Sequence, residues 1–367
     1  MLYKLKDIFD LQMGKTPSRN NIEYWNTNDY KWVSIADLTK TDKYISDTKE
    51  YLSKKAVNES GIKIIPANTV IMSFKLSIGK TAITAEDMYS NEAIMAFHDK
   101  HIVEILPEYI FYLFKYKNWD DGSNKAVMGK TLNKAILSEV EIDICSIEEQ
   151  RKIVNVLDKI MNLISARKKE LSYLDTFTKA RFVELFGDMT LARNDWEKLL
   201  LCDVCDVRDG THDSPKYFTE GYPLITSKNV SGGKIDFSDC NLICEEDYNK
   251  INQRSKVDVG DILMPMIGTV GKPVIVDSQK KFAIKNVALI KFRENSAVVN
   301  SFIKVLLESD YFDREVINKV RGGTQKFISL GDIKKLNFFF PPIKLQNQFA
   351  AFVNEIDKSK SAVKKAL

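Results

Sequence analysis

The feature that most constrains the fold of this chain is an internal repeat. Residues 7–14 (DIFDLQMG) align with residues 203–210 (DVCDVRDG), 196 positions later (203 − 7). Residues 147–150 (IEEQ) align with residues 343–346 (IKLQ) at the same spacing (343 − 147). Self-similarity over this length predicts two copies of one fold, placed one after the other.

The spacing of the repeat changes inside each copy. Residues 70–83 align with residues 262–275 at an offset of 192 (262 − 70). Residues 91–97 then align with residues 286–292 at an offset of 195 (286 − 91). Because insertions and deletions accumulate in loops, we expect a shared framework that carries diverged loops. Such loops are where the two copies would differ in specificity.

Each copy begins with a segment of mixed predicted secondary structure and ends with a predicted helix. Residues 1–145 and 189–341 contain short apolar runs broken by Gly, Asn and Pro, which is typical of a mostly β or an α+β domain. Residues 146–188 and 342–367 instead carry apolar residues at spacings of three and four, which predicts a long helix after each domain. The predicted fold class is therefore α+β, with two tandem domains and two helices.

The two predicted helices carry matched heptad stripes. The stripes are Ile153, Leu157, Ile160, Ile164, Arg167, Leu171 and Leu174 in the first helix, and Phe349, Val353, Ile356, Lys360, Val363 and Leu367 in the second. A single stripe of this kind would also suit a surface helix that packs on its own domain. Two matched stripes at the ends of duplicated domains favour an antiparallel coiled coil with pseudo-twofold symmetry.

Composition restricts the class of protein only weakly. The chain has 54 Lys and Arg against 50 Asp and Glu, a net charge of +4, which is less basic than many nucleic-acid-binding proteins. Its 44% hydrophobic content is that of a globular protein. The first residues lack the apolar core of a signal peptide, and five cysteines do not make a disulfide framework, so a cytoplasmic location is expected.

Motifs for catalysis are missing. The Gly-Lys-Thr triplets that start at Gly14, Gly79 and Gly129 lack the glycine that a phosphate-binding loop has five positions earlier. The Pro341-Pro342 pair lacks the residues that flank the catalytic loop of an amino-methyltransferase. The three histidines have no metal-ligand partner at a diagnostic spacing. We therefore expect no catalytic residue and no metal site.

The cysteine spacing gives one alternative. Cys202, Cys205, Cys240 and Cys244 have a spacing that could hold a zinc ion. In the repeat, however, Cys205 stands at the position of Phe9, which predicts a small buried apolar side chain. We consequently favour a structural role for this cysteine over a zinc site.

Polar, glycine-bearing loops occur at equivalent places in both copies. They comprise residues 14–19 with 208–213, residues 75–80 with 268–272, and residues 129–131 with 321–326. A single loop of this type is usually a solvated turn, but the recurrence of all three favours a DNA-contacting surface. The predicted DNA-binding residues are Lys15, Thr16, Arg19, Lys75, Lys80, Lys130, Arg208, Thr211, His212, Lys228, Thr269, Lys272, Arg321, Thr324, Gln325 and Lys326.

The chain contains a set of further motifs: the loop 209–212 (DGTH), the blocks 260–272 and 323–328, the Ile-x-x-Gln helix starts, and residues 185–188 (LFGD). Together these motifs resemble the specificity subunits of type I restriction-modification systems. The resemblance covers nearly the whole chain. It implies two target-recognition domains that read a bipartite DNA sequence, in a subunit that is itself not catalytic.

The resemblance also implies partners and their cofactors. Two modification subunits would methylate adenine N6 with S-adenosylmethionine, and optional restriction subunits would cleave DNA with ATP and Mg²⁺. No cofactor is expected on this chain. The alternatives are a free-standing DNA-binding or scaffold protein outside any restriction system, or an unrecognised enzyme such as a nuclease.

Overall fold

The computed structural model describes residues 1–25, 27–75, 77–119, 132–189, 191, 196–267, 270–292, 298–317 and 327–367. The chain divides into two compact units, Met1–Ile164 and Ser165–Leu367. The boundary between them falls inside one continuous helix, Ile147–Phe186.

The first unit contains short strands and helices. Its strands are β1 (Leu2–Lys4), β2 (Phe9–Met13), β3 (Tyr30–Val33), β4 (Tyr44–Ile45), β5 (Glu50–Leu52), β6 (Val70–Ser73), β7 (Thr81–Thr84), β8 (Tyr89–Ser90), β9 (Ile94–Asp99) and β10 (Glu141–Asp143). Its helices are α1 (Leu5–Ile8), α2 (Ile35–Lys40), α3 (Lys54–Ser60), α4 (Pro107–Tyr116), α5 (Lys134–Ser138) and the beginning of α6 (Ile147–Phe186).

A central sheet with the strand order β2-β9-β6-β7-β4 organises this unit. Smaller sheets have the orders β5-β3-β8 and β1-β10. The strands β6 and β7 are buried at every position, because apolar clusters cover both faces of the central sheet. The aromatic side chains of α4, including Phe111 and Phe114, pack on one of these faces.

The second unit repeats most of this order of elements. Its strands are β11 (Lys198–Leu200), β12 (Asp206–Asp209), β13 (Tyr222–Ile225), β14 (Val230–Ser231), β15 (Lys234–Ile235), β16 (Asn241–Ile243), β17 (Ile262–Pro265), β18 (Val274–Ile275), β19 (Ala283–Ile284), β20 (Val287–Lys291) and β21 (Asn337–Phe339). Its helices are the end of α6, α7 (Leu201–Val204), α8 (Glu245–Ser255), α9 (Asn300–Leu307), α10 (Asp310–Glu315), α11 (Leu330–Lys334) and α12 (Ile343–Lys365). The differences from the first unit are a β14–β15 hairpin in place of α2 and β4 and one additional helix, α10.

The strand pairing confirms the repeat and corrects one part of its alignment. The sheet β12-β20-β17-β18 corresponds to β2-β9-β6-β7. Val70 pairs with Phe97, and its equivalent Ile262 pairs with Ile290, so Phe97 corresponds to Ile290 rather than to Phe292. Within β9, the predicted alignment is therefore wrong by two positions. A shift of two preserves the alternation of side chains along a strand, so the apolar pattern alone could not detect it.

Cys205 occupies the predicted position. It lies buried in the core of the second unit directly before β12, at the position that Phe9 occupies at the start of β2 in the first unit. Its backbone N–H donates to Leu201 O at 2.9 Å, and the equivalent bond from Phe9 N–H to Leu5 O closes α1. The thiol thus replaces an apolar side chain, as the repeat predicts.

Each long helix is anchored to its own domain by a buried glutamine. Gln150, in the first turn of α6, accepts a hydrogen bond from Leu106 N at 2.9 Å and donates to the backbone oxygens of Glu104 and Cys145 at 2.9 and 3.0 Å. Gln346 of α12 accepts from Val299 N at 3.0 Å and donates to Pro341 O at 2.8 Å. The Ile-x-x-Gln motif is therefore a joint between helix and domain.

The α6 stripe packs differently in its two halves. Within the first unit, Ile153 and Leu157 pack against the domain core, whereas Ile160 is exposed. This part of α6 is therefore a surface helix that packs on its own domain, which is the alternative that a single stripe also allows. The continuous heptad seam predicted through Ile160 is therefore not present in the first unit.

The end of α6 packs against α12 in the second unit. Phe186 contacts Phe349, and Asp175 Oδ1 lies 2.7 Å from Lys360 Nζ. Because later residues of α6 meet earlier residues of α12, this pair of segments runs antiparallel, as predicted. The stripe residues Val353, Ile356 and Val363 of α12 are buried.

Candidate nucleic-acid interface

Two of the predicted loop sets meet at one end of the central sheet of the first unit. Gly14 N donates to Ile94 O at 3.1 Å, and Phe74 N donates to Ala93 O at 3.0 Å. The loop after β2 and the β6–β7 turn therefore flank the same short turn between β8 and β9. The fold brings Lys15, Thr16, Lys75 and Lys80 to this end of the sheet.

The second unit has the same arrangement. Gly210 N donates to Val287 O at 3.1 Å, and Pro265, at the end of β17, pairs with Val287. Ile328 N donates to Met266 O at 2.9 Å, which places the segment that begins at residue 327 beside the end of β17. These three segments therefore lie at one end of the sheet: the loop after β12, the start of the β17–β18 connection and the segment from residue 327. This end is equivalent to the end of the first unit's central sheet that carries Gly14.

Two matched pairs of glycines shape these loops. A side chain at Gly14 would collide with the backbone oxygens of Ser90 and Asn91, and one at Gly210 would collide with Ile284 O. Gly79 and Gly271 have φ angles of 87° and 78°, a region that side chains disfavour. The glycines are required by close backbone approach in the first pair and by backbone conformation in the second.

The predicted residues of the first loop are held by neighbours in their own domain. Lys15 Nζ donates to Ser60 O, and Thr16 donates to Glu92. The Arg19 guanidinium pairs with Glu50 and lies 3.8 Å from the ring centroid of Trp25. The Arg19 side chain is thus held by contacts within its own domain.

The lysines that follow the second pair of glycines are exposed. Lys80 and Lys272 lie at equivalent positions, each directly after a glycine of positive φ. Lys75 is partly buried, with Nζ 5.3 Å from the ring centroid of Phe74. Lys80 and Lys272 therefore present their ammonium groups to solvent at matched turns.

Two predicted residues of the second unit, Thr211 and His212, are linked to the residues at and between the ends of β19 and β20, whereas Arg208 and Lys228 contact other parts of the domain. Thr211 N donates to Ile284 O at 3.0 Å, and His212 Nδ1 lies 2.7 Å from Asn286 Oδ1. Arg208 pairs with Asp206 and donates to Arg254 O at 2.8 Å. Lys228 Nζ lies 3.4 Å from Asp239. Arg208 is therefore mainly a brace between β12 and the end of α8.

The remaining predicted residues lie outside the described part of the chain. They are Lys130, Thr269, Arg321, Thr324, Gln325 and Lys326.

Sequence reasoning missed several polar residues at this site. His212 lies between Asp209 and Asn286 and contacts both side chains. Arg254 donates directly to Asp209, although it lies in a helix far from the glycine loop in sequence. Asn286 has a φ of 55°, which is uncommon for a residue other than glycine. The isolated Asn between β19 and β20 was a signal for a special turn, whereas nothing local marks Arg254.

Across the described residues, no group of three or more His, Cys, Asp or Glu side chains is placed to hold a metal ion. Within the same residues, no helix is long and apolar enough to cross a bilayer.

Solved structures with a similar fold come from type I restriction-modification systems. The S subunit of a type I restriction-modification system from M. genitalium matches the whole chain and 91% of its own length, with a TM-score of 0.55 and 13% identity. A second structure comes from work on complex assembly and conformational transition of the type I restriction-modification system, and it matches with a TM-score of 0.58 and 16% identity. These similarities define the fold as that of a type I S subunit.

The sequence comparisons define the family. The family described as the type I restriction modification DNA specificity domain matches residues 1–173 and 193–367. The chain therefore belongs to the family of type I restriction-modification DNA specificity subunits.

Of two curated relatives, one matches most of the chain and the other matches less than half of it. The MjaIX specificity subunit of Methanocaldococcus jannaschii is 28% identical over 96% of this chain and 85% of its own length. The EcoR124I/EcoR124II specificity subunit of Escherichia coli is 27% identical over 42% of this chain and 39% of its own length.

Proposed function

We propose that each domain reads one half of a bipartite DNA target through the loops at the end of its central sheet. The observation that carries this proposal is the recurrence of the same loop set, built on the same glycines, at the same sheet end in both units. A framework that is repeated while its loops differ suits two readers of different sequence. Side chains in the loops would contact bases, and backbone amides and lysines would contact phosphates.

The chemistry would belong to partner subunits. Two modification subunits would bind this chain and methylate adenine N6 with S-adenosylmethionine, and restriction subunits, where present, would use ATP and Mg²⁺. This division of labour is supported by family membership and by the missing cofactor motifs of the sequence. The chain would act in the cytoplasm, where chromosomal and incoming DNA are accessible.

A domain exchange tests the proposal. Residues 18–145 are replaced by the equivalent segment of a relative, the chain is co-expressed with its modification subunit, and methylated adenines are mapped across the genome. We expect one half of the methylated motif to change while the other half is retained. Exchanging the equivalent part of the second domain is the matched control, and it should change only the other half.

Three outcomes would contradict the proposal. A single exchange that alters both halves, or neither, would show that the domains are not independent readers. Methylation by the purified chain with S-adenosylmethionine alone would show that it carries the chemistry itself. Metal-dependent DNA cleavage by the pure chain would favour a nuclease.

A further inference from the structure

A buried carboxylate at the end of β12 holds two exposed side chains in the second domain. The Asp209 side chain is 8% exposed, whereas those of His212 and Arg254 are 63% and 66% exposed. Asp209 Oδ1 accepts from the Arg254 guanidinium, and Oδ2 lies 2.8 Å from His212 Nε2. Both oxygens of one carboxylate are thus used to orient groups that face solvent.

Further hydrogen bonds fix this cluster in place. His212 Nδ1 lies 2.7 Å from Asn286 Oδ1, and Asn286 N donates to Thr211 O at 3.2 Å. Arg208 donates to Arg254 O at 2.8 Å, so Arg254 is held by both its backbone and its side chain. An arginine ordered before binding loses less side-chain entropy when it meets a ligand.

The cluster borders a cavity beside the candidate interface. The cavity has a volume of about 200 Å³. Its walls come from the loop that follows Asp209 and from α8, and they include Gly210, Thr211, Ser214, Lys250, Arg254 and Ser255. The loop that forms one wall is the loop that sequence analysis assigns to DNA contact. The cavity therefore adjoins the loop assigned to DNA contact, with Arg254 in its wall.

The first domain is built differently at the equivalent position. Met13 stands where the second domain has Asp209, and it is exposed. Thr16 stands where the second domain has His212, and it donates to Glu92 instead. A group that is present in one domain and replaced in its copy is suited to reading one half-site and not the other.

The chemistry of the cluster favours one base. Asp209 accepts a hydrogen bond from one terminal nitrogen of the Arg254 guanidinium. The other nitrogens of this planar group can donate to a pair of neighbouring acceptors. In the major groove, guanine presents two adjacent acceptors, N7 and O6, and arginine is its commonest specific partner. We propose that Arg254 reads a guanine in the half-site of the second domain, with Asp209 and His212 as positioning residues.

This inference rests on the proposed function and is tested on the intact complex. The chain is assembled with its modification subunit, and the methylated motif is determined first. Methylation is then measured on duplexes in which each position of both half-sites is randomised in turn. The variants are Arg254→Lys, which keeps the charge but loses the fork, and Asp209→Asn, which keeps the shape but loses the charge.

We expect Arg254→Lys to lose about 5- to 150-fold of discrimination at one guanine of one half-site. Asp209→Asn should weaken discrimination at the same guanine and leave the other positions unchanged, which a general loss of stability would not do. Lys250→Ala is the matched control, because Lys250 lies on the same helix and lines the same cavity. It should retain the base preferences.

Other results would overturn the inference. A second half-site without guanine, or an Arg254→Lys variant with full guanine preference, would remove the role of Arg254 while leaving two independent readers intact. A uniform loss at all positions with a shallower salt dependence would make Arg254 a phosphate contact. A wild-type complex without a bipartite motif would refute the proposed function and this inference together.

Discussion

The ring of Phe186, in the last turn of α6, packs edge-to-face against the ring of Phe349 in α12, with centroids 5.4 Å apart. Phe182 and Phe302 join the same cluster, at 5.5 Å from Phe349 and 4.9 Å from Phe186 respectively. The end of one long helix and the start of the other thus share the core of the second unit. Phe186, within the LFGD motif of residues 185–188, is therefore a core residue of the second unit.

We expect Phe349→Ala to destabilise the second unit by about 3–5 kcal/mol, because it removes a fully buried aromatic side chain. Urea unfolding followed by circular dichroism measures this loss. Phe177→Ala is the control, since Phe177 is an exposed residue of α6 whose ring contacts Phe352. The control should cost about 1 kcal/mol or less. Equal losses in the two variants would contradict the assigned core.

Gln150→Met should loosen the joint between α6 and the first domain. The substitution keeps the side-chain volume but removes the partner of three partly buried hydrogen bonds, at a cost of about 1–3 kcal/mol for each backbone group that stays without water. Hydrogen exchange at Leu106 N should accelerate, since this amide loses its acceptor. Glu149→Ala, at the exposed neighbouring position, is the control and should leave the exchange of Leu106 unchanged.

Glu139 should make the stability of the first unit sensitive to acid. Lys6 and Lys4 hydrogen-bond its carboxylate and lower the pKa of Glu139 from 4.5 to about 2. A depressed folded pKa contributes stability that is fully present above the unfolded value and is lost as the pH falls from 4.5 toward 2.

Glu139→Gln should therefore reduce the drop in melting temperature between about pH 6 and pH 3. Because the carboxylate is exposed, added salt should shrink the difference between wild type and variant. Glu149→Gln, which removes one exposed carboxylate from α6, is the control. An unchanged pH profile for Glu139→Gln would show that the two lysines do not stabilise the fold.

Lys80→Ala and Lys272→Ala should each weaken DNA binding by the complex without changing the target sequence. A phosphate contact positions the protein and carries no base information. The slope of the logarithm of affinity against the logarithm of salt concentration should become shallower by about one unit for each lysine. Lys152→Ala, at an exposed position on α6, is the control. A changed motif with an unchanged slope would argue for base reading by these lysines.

Insertion of one heptad near Arg167 should lengthen the spacer between the two half-sites. The helix α6 is continuous over 40 residues, and seven more residues would extend it by about 10 Å. Base pairs are stacked about 3.4 Å apart, so the spacer should grow by up to about three base pairs, or by fewer if the DNA deforms. Mapping of methylated adenines gives the new spacing. An active variant with the old spacing would show that another element sets the distance.

The sequence by itself determined the repeat, the two long helices and the places of the loops. The predicted helical segment after Cys145 and the observed α6 agree, because an amphipathic period and an Ile-x-x-Gln start are local properties. The sequence also identified the glycines of the candidate interface, because the conformational role of a glycine can be recognised at a single position of the chain. The family pattern rests on these same local features.

The tertiary structure alone decided which residues meet. The register of β9 and β20 escaped the alignment because a slip of two keeps every side chain on its face. Ile160 continues a periodic stripe and is nevertheless exposed, since a stripe does not specify what covers it. Asp209 and Arg254 are 45 positions apart, and only the packing of α8 beside β12 joins them. Local patterns encode periodicity, whereas pairing between distant side chains depends on the path of the whole chain.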